Sequence, residues 1–332
     1  MPAKTHALQI VQLGQESTWG TAVTPTSKLA GITSCEITPL TEVADFPSLE
    51  GYGPIYNSAV VKTGGTATLE SLVLYEDLPY WLDGLLAEDA TPTGAGPYTY
   101  VYEAPTTTAP TRSFYTLTYG DSSSAYALTG ALVKSVTISG AASEALTMSI
   151  EFVGHHVETD SLAALSSRTV NVATSSQVVL KIAATGTAPG SGTEIPCTLY
   201  EWELAMDNMT AVAYAVGAIT PCDYYQNRFD GTLSMTLDFP GDSSAIKTIF
   251  DNMVSTTPSE VNRNIQLKAS NGANLDIEIN MGCVLMTAPS LWGDNDGITT
   301  VETEWKLKYN ANVGAAGNYL AIDVINGVST MP

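Results

Sequence analysis

The residue types that run most enzymatic reactions are scarce here, and their spacing is poor. There are three histidines, His6, His155 and His156. His155 and His156 are adjacent, so on a strand they point to opposite faces and cannot share one metal or one catalytic centre. A solvated strand end is expected for both. The stretch GDNDGITTVE (residues 293–302) carries part of a calcium-loop pattern in Asp294, Asp296 and Gly297. Trp292 and Thr303 stand where such a loop needs Asp and Glu, so the stretch reads as a hairpin turn. The nucleophile elbow GxSxG, the P-loop and the dinucleotide-binding fingerprint are absent from the sequence. Carboxylates are plentiful, which leaves a glycosidase-like pair open. Cys35, Cys197, Cys222 and Cys283 are far apart and form no CxxC. They are expected as free thiols packed like small apolar groups. The reading is of a chain that is not an enzyme, with no catalytic residue, no metal and no cofactor.

Composition points to assembly instead. Of 332 residues, 44 % are hydrophobic and only 14 % charged. Ordinary soluble domains carry about 25 % charged residues. So weakly charged a chain is expected to bury much of its surface against other chains. The charge present is one-sided, 13 Lys and Arg against 34 Asp and Glu, for a net of −21. That sign argues against gripping nucleic acid by its phosphates, but permits a surface that nucleic acid passes without sticking. The N-terminal residues lack a signal peptide's apolar core, and no run approaches the roughly 20 apolar residues of a membrane helix. Synthesis in the cytoplasm is the expectation.

The elements that carry these residues read as strands. TEWKLKY (303–309), NLDIEINM (274–281), YEWELAM (200–206) and LTMSIEF (146–152) alternate polar and apolar residues with a period of two. Two segments read as helices. YEDLPYWLDGLLAE (75–88) has a stripe of Leu78, Leu82, Leu85 and Leu86, with Glu76 and Asp77 suited to the N-terminal dipole. GDSSAIKTIFDNMV (241–254) has Ile246, Ile249, Phe250 and Met253, with Asp242 or Ser243 as N-cap.

Each helix follows a strand that opens with Gly-Thr, at Gly65 and at Gly231, 166 positions apart in a chain of 332. The order strand-strand-helix-strand-strand-strand recurs on both sides. Offsets fall to about 151 after the helix and return to 157 at the closing strand, if TVETEWKLKY is set against SEALTMSIEF. A tandem duplication is expected: mainly β, residues 1–166 and 167–332 each forming a β-sandwich or barrel with one flanking α-helix. The hydroxyl-rich stretch 161–177 is the expected junction. One large sandwich with accidental similarity is the other reading.

Two long segments do not look like core. Residues 41–63 join two strands, and residues 91–111 are rich in Pro, Thr and Tyr. Loops this long are commonly functional or disordered, and the aromatic content favours docking. Residues 206–230 match the first loop in the second half.

The N-terminal stretch GQESTWGTAVTPTSKLAGITSCEITP (14–39) follows an apolar strand. Gly14, Glu16, Ser17, Trp19, Gly20 and Thr21 resemble the opening of tail tube proteins of long-tailed bacteriophages. The strand order, the flanking helix and the long loop after the early strand extend the resemblance over most of the chain. It implies a structural virion protein, assembled in the host cytoplasm and located in the virion tail. It also implies rings that stack into a tube and conduct DNA. The implied partners are further copies of the chain, tape-measure, tail-tip and tail-terminator proteins, and DNA in transit without specific binding. Relatives with one domain form rings of six, so two fused domains imply a trimer with pseudo-sixfold symmetry.

On this resemblance Trp19 anchors a connector to a neighbouring subunit. Glu42, Asp45, Phe46, Glu50, Tyr52 and Tyr56 belong to one inter-ring loop, and Tyr214, Tyr224, Tyr225 and Arg228 to the other. Candidates to line the bore are the strand-borne acids Glu36, Glu201, Glu203, Asp276, Glu278, Glu302 and Glu304, whose polar face also suits the tube exterior. Both halves are acidic, five cations against 17 acids and eight against 17. The alternative function is a carbohydrate-binding or hydrolytic β-sandwich protein of a cell-surface or virion apparatus, a stable monomer with a groove of exposed Trp and Tyr. A distal tail or decoration protein is a closer rival.

Overall fold

Runs that alternate polar and apolar residues fold as strands throughout, because period two puts every second side chain on one face. The structure is a computed structural model that describes residues 9–46, 57–88, 92, 94–107, 111–195, 198–238, 245–254, 260–272, 274–295 and 297–329. Strands make up 58 % of it and helices 7 %.

In the first half the strands are β1 (Ile10–Gln15), β2 (Ser27–Lys28), β3 (Ile32–Phe46), β4 (Asn57–Leu72), β5 (Ala87–Glu88), β6 (Tyr98–Glu103), β7 (Tyr115–Asp121), β8 (Ser124–Ala141), β9 (Thr147–Gly154) and β10 (His156–Asp160). In the second they are β11 (Val178–Ala183), β12 (Thr193–Glu194), β13 (Leu199–Asp207), β14 (Thr210–Ala213), β15 (Asp223–Gln226), β16 (Asp230–Asp238), β17 (Asn262–Ser270), β18 (Asp276–Leu285), β19 (Ser290–Asn295), β20 (Ile298–Leu307) and β21 (Leu320–Asn326). Helix α1 (Leu78–Leu85) follows β4, and α2 (Ala245–Val254) follows β16.

The two halves pair their strands in the same order. The first runs β1-β7-β8-β9-β4-β3, with β10 also on β8. The second runs β11-β17-β18-β20-β16-β13, with β21 also on β18. Ala67 lies opposite Phe152, and Leu233 lies opposite Trp305. Phe152 therefore corresponds to Trp305, an offset of 153 rather than the 157 read from sequence. β19 and β20 pair antiparallel on either side of the GDNDG turn, with Asn295 opposite Ile298, while Asp296 lies outside the described residues.

One seam joins the halves. β8 pairs with β13 from Ser135↔Asp207 to Ala141↔Glu201. This makes a continuous run of eight strand positions, β3-β4-β9-β8-β13-β16-β20, with β18 and β19 sharing the eighth beside β20. Its inner face carries Ala67, Leu69, Ile150, Phe152, Ile138, Trp202, Leu204, Leu233, Met235 and Trp305, all buried. The second layer, β1, β7 and β10 in one half and β11, β17 and β21 in the other, closes the core from the opposite side. Helix α1 is almost wholly buried, and its Trp81 meets Phe152 edge-on at 5.8 Å between ring centres. Gly84 lets the helix approach, since a Cβ there would sit 2.5 Å from Val133 Cγ2. The helix is shorter than residues 75–88. Asp77 stands at its N-cap but makes no side-chain cap bond. Of α2, Ile249 is buried, while Asp242 and Ser243 lie outside the described residues.

The stretch expected as junction is a strap pinned along the first half. Gln12 and Ala163 exchange two bonds of 2.8 Å. Glu76 accepts from the Asn171 backbone at 2.8 Å and its amide at 2.7 Å. Arg168 pairs with the buried Asp77 and donates to Tyr80 Oη at 2.8 Å. Burial pushes the Asp77 carboxyl up, and Arg168 pulls it back. The 91–111 insertion also joins the halves, because β6 adds to β21 from Tyr98↔Asn326 to Glu103↔Ala321.

Two readings from sequence are corrected. His155 and His156 are half-buried rather than solvated; His155 lies edge-on to Trp19 at 5.1 Å, because β10 turns back onto β8 and closes over it. Cys35 and Cys283 pack as small apolar groups, burial pushing the Cys35 thiol up to about 12, but Cys222 is exposed. Cys197 and His6 lie outside the described residues.

Two predictions follow from this packing. Arg168→Ala leaves a carboxylate buried without its cation, and should cost about 3 kcal/mol in urea unfolding. Asp323 on β21 has its carboxyl pushed up to about 6 by burial, with Glu278 and Glu103 adding to the rise. The folded state therefore holds this proton longer than the unfolded chain does, and the penalty for ionising it grows from about pH 4 to about pH 6 and persists above. Asp323→Asn should raise the melting temperature at about pH 8 and leave it unchanged near pH 4. An equal shift at both pH values would contradict this.

Candidate functional site

The outward face of the eight-stranded run is polar along its whole width. Exposed on it are Glu36 on β3, Glu70 on β4, Glu151 on β9, Glu201 and Glu203 on β13, and Glu302 and Glu304 on β20. Hydroxyls separate these acids. One cross-strand row reads Thr147, Ser139, Glu203, Ser234, Glu304. Another reads Glu36, Thr68, Glu151, Ser135. No glutamate on this face lies directly opposite another, which limits like-charge repulsion within the sheet. Lys134 is paired with Glu151 at 2.8 Å, and Lys306 with Asp230 at 3.0 Å. The face is therefore strongly negative and smooth, with hydroxyls between its charges. Among the described residues no group of three or more His, Cys, Asp or Glu is placed to hold a metal.

Five of the seven acids read from sequence share this face: Glu36, Glu201, Glu203, Glu302 and Glu304. Asp276 and Glu278 stand apart on the second layer, where Lys268 of β17 holds both, Asp276 at 3.6 Å. Glu70 and Glu151 join the face although sequence reasoning missed them. The signal was present, since Glu70 alternates with Thr66 and Thr68 in GTATLES, and Glu151 lies between Ile150 and Phe152.

The run ends in two open edges. Among the described residues β3 pairs with β4 alone, and β19 with β20 alone. Beyond Pro39 and Gly65, β3 and β4 continue as a paired hairpin to Phe46↔Asn57. The 41–63 loop read from sequence is thus largely strand, an arm about 20 Å long at roughly 3.4 Å per residue. Leu40, Val43, Phe46, Val60 and Val61 are exposed on it, Val43 by 54 %. Glu42 and Asp45 are exposed too. Glu50, Tyr52 and Tyr56 lie outside the described residues.

Residues 206–230 form a separate hairpin, β14 with β15, folded back on the first half. Tyr214 Oη donates to Thr63 O at 3.0 Å, and Thr63 N donates to Ile219 O at 2.7 Å. Tyr224 sits between Trp19, at 5.4 Å, and Phe114, at 6.4 Å. Arg112 is buried, with no carboxylate paired to it among the described residues; it donates to Gly84 O at 3.0 Å, to Val133 O and to Thr210 Oγ1. Burial lowers its pKa to about 10. Tyr225 and Arg228 are exposed.

Trp19 is engaged within its own chain. Its indole donates to Gly130 O at 2.9 Å. Glu16, buried beside it, accepts from Gly130 N at 2.8 Å, Gly20 N at 2.8 Å and Thr116 Oγ1 at 2.7 Å. The GQESTWGT stretch is therefore a clasp built around a carboxylate with three donors.

The sheet is thus open-edged and acid-faced, with a projecting hairpin, and comparison with known proteins gives its family. No curated protein matches the chain. The family model for the phage tail tube protein matches residues 7–307. The chain belongs to the phage tail tube protein family, whose members are structural, non-enzymatic components of the virion tail.

Proposed function

We propose that this chain builds the tail tube as a fused pair of tube modules, residues 1–166 and 167–332. Three chains close each ring, and rings stack into a conduit for DNA. The observation that carries the reading is the seam between β8 and β13. It joins two sheets of the same pairing order edge to edge. Strand β13 occupies in the second half the place of β3 in the first, and β18 with β19 the place of β8. A β19 edge meeting the β3 edge of the next chain repeats that seam and leaves no open edge once the ring closes. Three chains of eight strands give 3 × 8 = 24, a barrel about 48 Å across its backbone at a tilt of about 40°.

Geometry favours the acidic face as the bore. The opposite face carries the second layer and the helices, which need the larger circumference and so belong outside. Phosphates near a negative wall are repelled, and no counterion release holds the genome to it. In this reading the partners are other copies of the chain, a tape-measure protein within the growing tube, and tail-tip and terminator proteins at its ends.

Negative-stain images of the purified full chain should show hollow tubes or rings with three-fold symmetry. Dispersed monomers at all concentrations would contradict the reading. Glu203→Lys with Glu304→Lys places two cations per chain on the proposed wall. Tubes of this variant should retain duplex DNA at low salt and release it as salt rises, whereas wild-type tubes should not retain it. Equal retention by both would place these residues away from the bore.

A further inference from the structure

The β3–β4 arm and the β14–β15 hairpin are the same element in two poses. The strands leading into them correspond at offsets of 167 and 166: Glu36 with Glu203, Thr68 with Ser234. The same offsets carry Val43↔Val60 onto Thr210↔Gln226, and Phe46↔Asn57 onto Ala213↔Asp223. All four rungs keep register. In the second half the ladder breaks after Asp207, with Met209 at φ 46°, and the hairpin folds down. In the first half the ladder runs on, with a register shift at the corresponding place, between Glu42 and Val43.

The folded hairpin has a seat on the adjoining module. Asn208 N donates to Lys134 O at 3.0 Å, and the Asn208 amide donates to Leu85 O. Arg112 and Thr63 take Thr210 and Ile219, as described above. Thr210 is 4 % exposed, whereas its counterpart Val43 is 54 % exposed. An apolar side chain is left in water where a hydroxyl is buried, opposite to the usual preference.

Among the described residues, none of this chain fills the matching seat on the second half. The counterpart of Thr63 is Phe229, and that of Lys134 is Met286, which is 51 % exposed. Beside Phe229 lies an open groove of about 410 Å³, with Arg228, Leu307, Tyr309 and Tyr319 on its walls. Arg228 makes no ion pair among the described residues, and the arm brings Glu42 and Asp45.

We propose that the outer arm, residues 43–46 with 57–60, docks in this groove on the second module of the neighbouring chain in the same ring. It turns at Glu42 as the second hairpin turns at Met209. The inference rests on the ring reading, because only that reading brings a first module beside the empty seat.

Cysteine pairs in the full chain, with Cys197 and Cys222 replaced by Ser, test it in assembled tubes. Thr41→Cys with Met286→Cys marks the seam, as Asn208 and Lys134 do within the chain. Phe46→Cys with Arg228→Cys marks the seat. A short bifunctional maleimide should link the seat pair into species that stop at the number of chains in one ring, three. A ladder climbing past three would mean that the arm crosses to the next ring and would overturn the proposal. Linkage at the seam with none at the seat would overturn it as well. Absence of linkage at both, with no rings formed, would instead sink the ring reading beneath it.

Discussion

A β-sheet cannot leave a long edge of unpaired backbone in water without inviting another strand. This chain has an eight-stranded run with such an edge at each end, on β3 and on β19. Proteins that stay monomeric shield edges with bulges, charges or covering loops. Here both edges continue a pairing pattern that the chain has already completed once, at the β8–β13 seam. In the proposed ring, the low proportion of charged residues and the exposed apolar arm answer the same constraint. Surface that a neighbour will cover does not need charge to keep it soluble.

In the proposed reading, fusing two modules permits them to differ. One hairpin is seated within the chain, through Asn208, Thr210, Tyr214 and Tyr224, whereas its counterpart leaves Val43, Phe46 and Val60 exposed. The N-terminal clasp around Glu16 and Trp19 also serves the internal seat, since Trp19 and Phe114 hold Tyr224. β8 pairs with β13, β6 crosses to β21, and the 161–177 strap is pinned by Asp77 and Glu76, so the halves are tied there as well as at the seated hairpin. In the proposed ring, internal seams come ready-made and only the seams between chains form during assembly.

Much of this was legible in the sequence. Period two located the strands, and the stripes of Leu78, Leu82 and Leu85 and of Ile249 and Met253 located both helices. The Gly65 and Gly231 correspondence matches strands that hold the same place in the pairing order of each half, and the opening motif pointed to the family that the chain matches. What was illegible depends on which strands meet. Glu278 alternates as cleanly as Glu304, but alternation gives a face and not a layer, and β18 carries its acids onto the other sheet. The 91–111 insertion read as a loop because its partner, β21, lies more than 200 residues away. Trp19 read as a connector because nothing local reveals His155 and Tyr224 beside it. The buried Arg112 was invisible for the same reason: its partners are the carbonyls of Gly84 and Val133, and backbone acceptors leave no trace in side-chain type.

The central claim is that the chain's two open edges complete each other between copies. A reconstruction of the assembled polymer, at a resolution that separates strands, measures this directly. The account predicts three chains per ring, with β3 of one chain hydrogen-bonded to β19 of the next and Glu36, Glu203 and Glu304 facing the bore. A ring in which those two strands remain apart, or in which the glutamate face points outward, would contradict it.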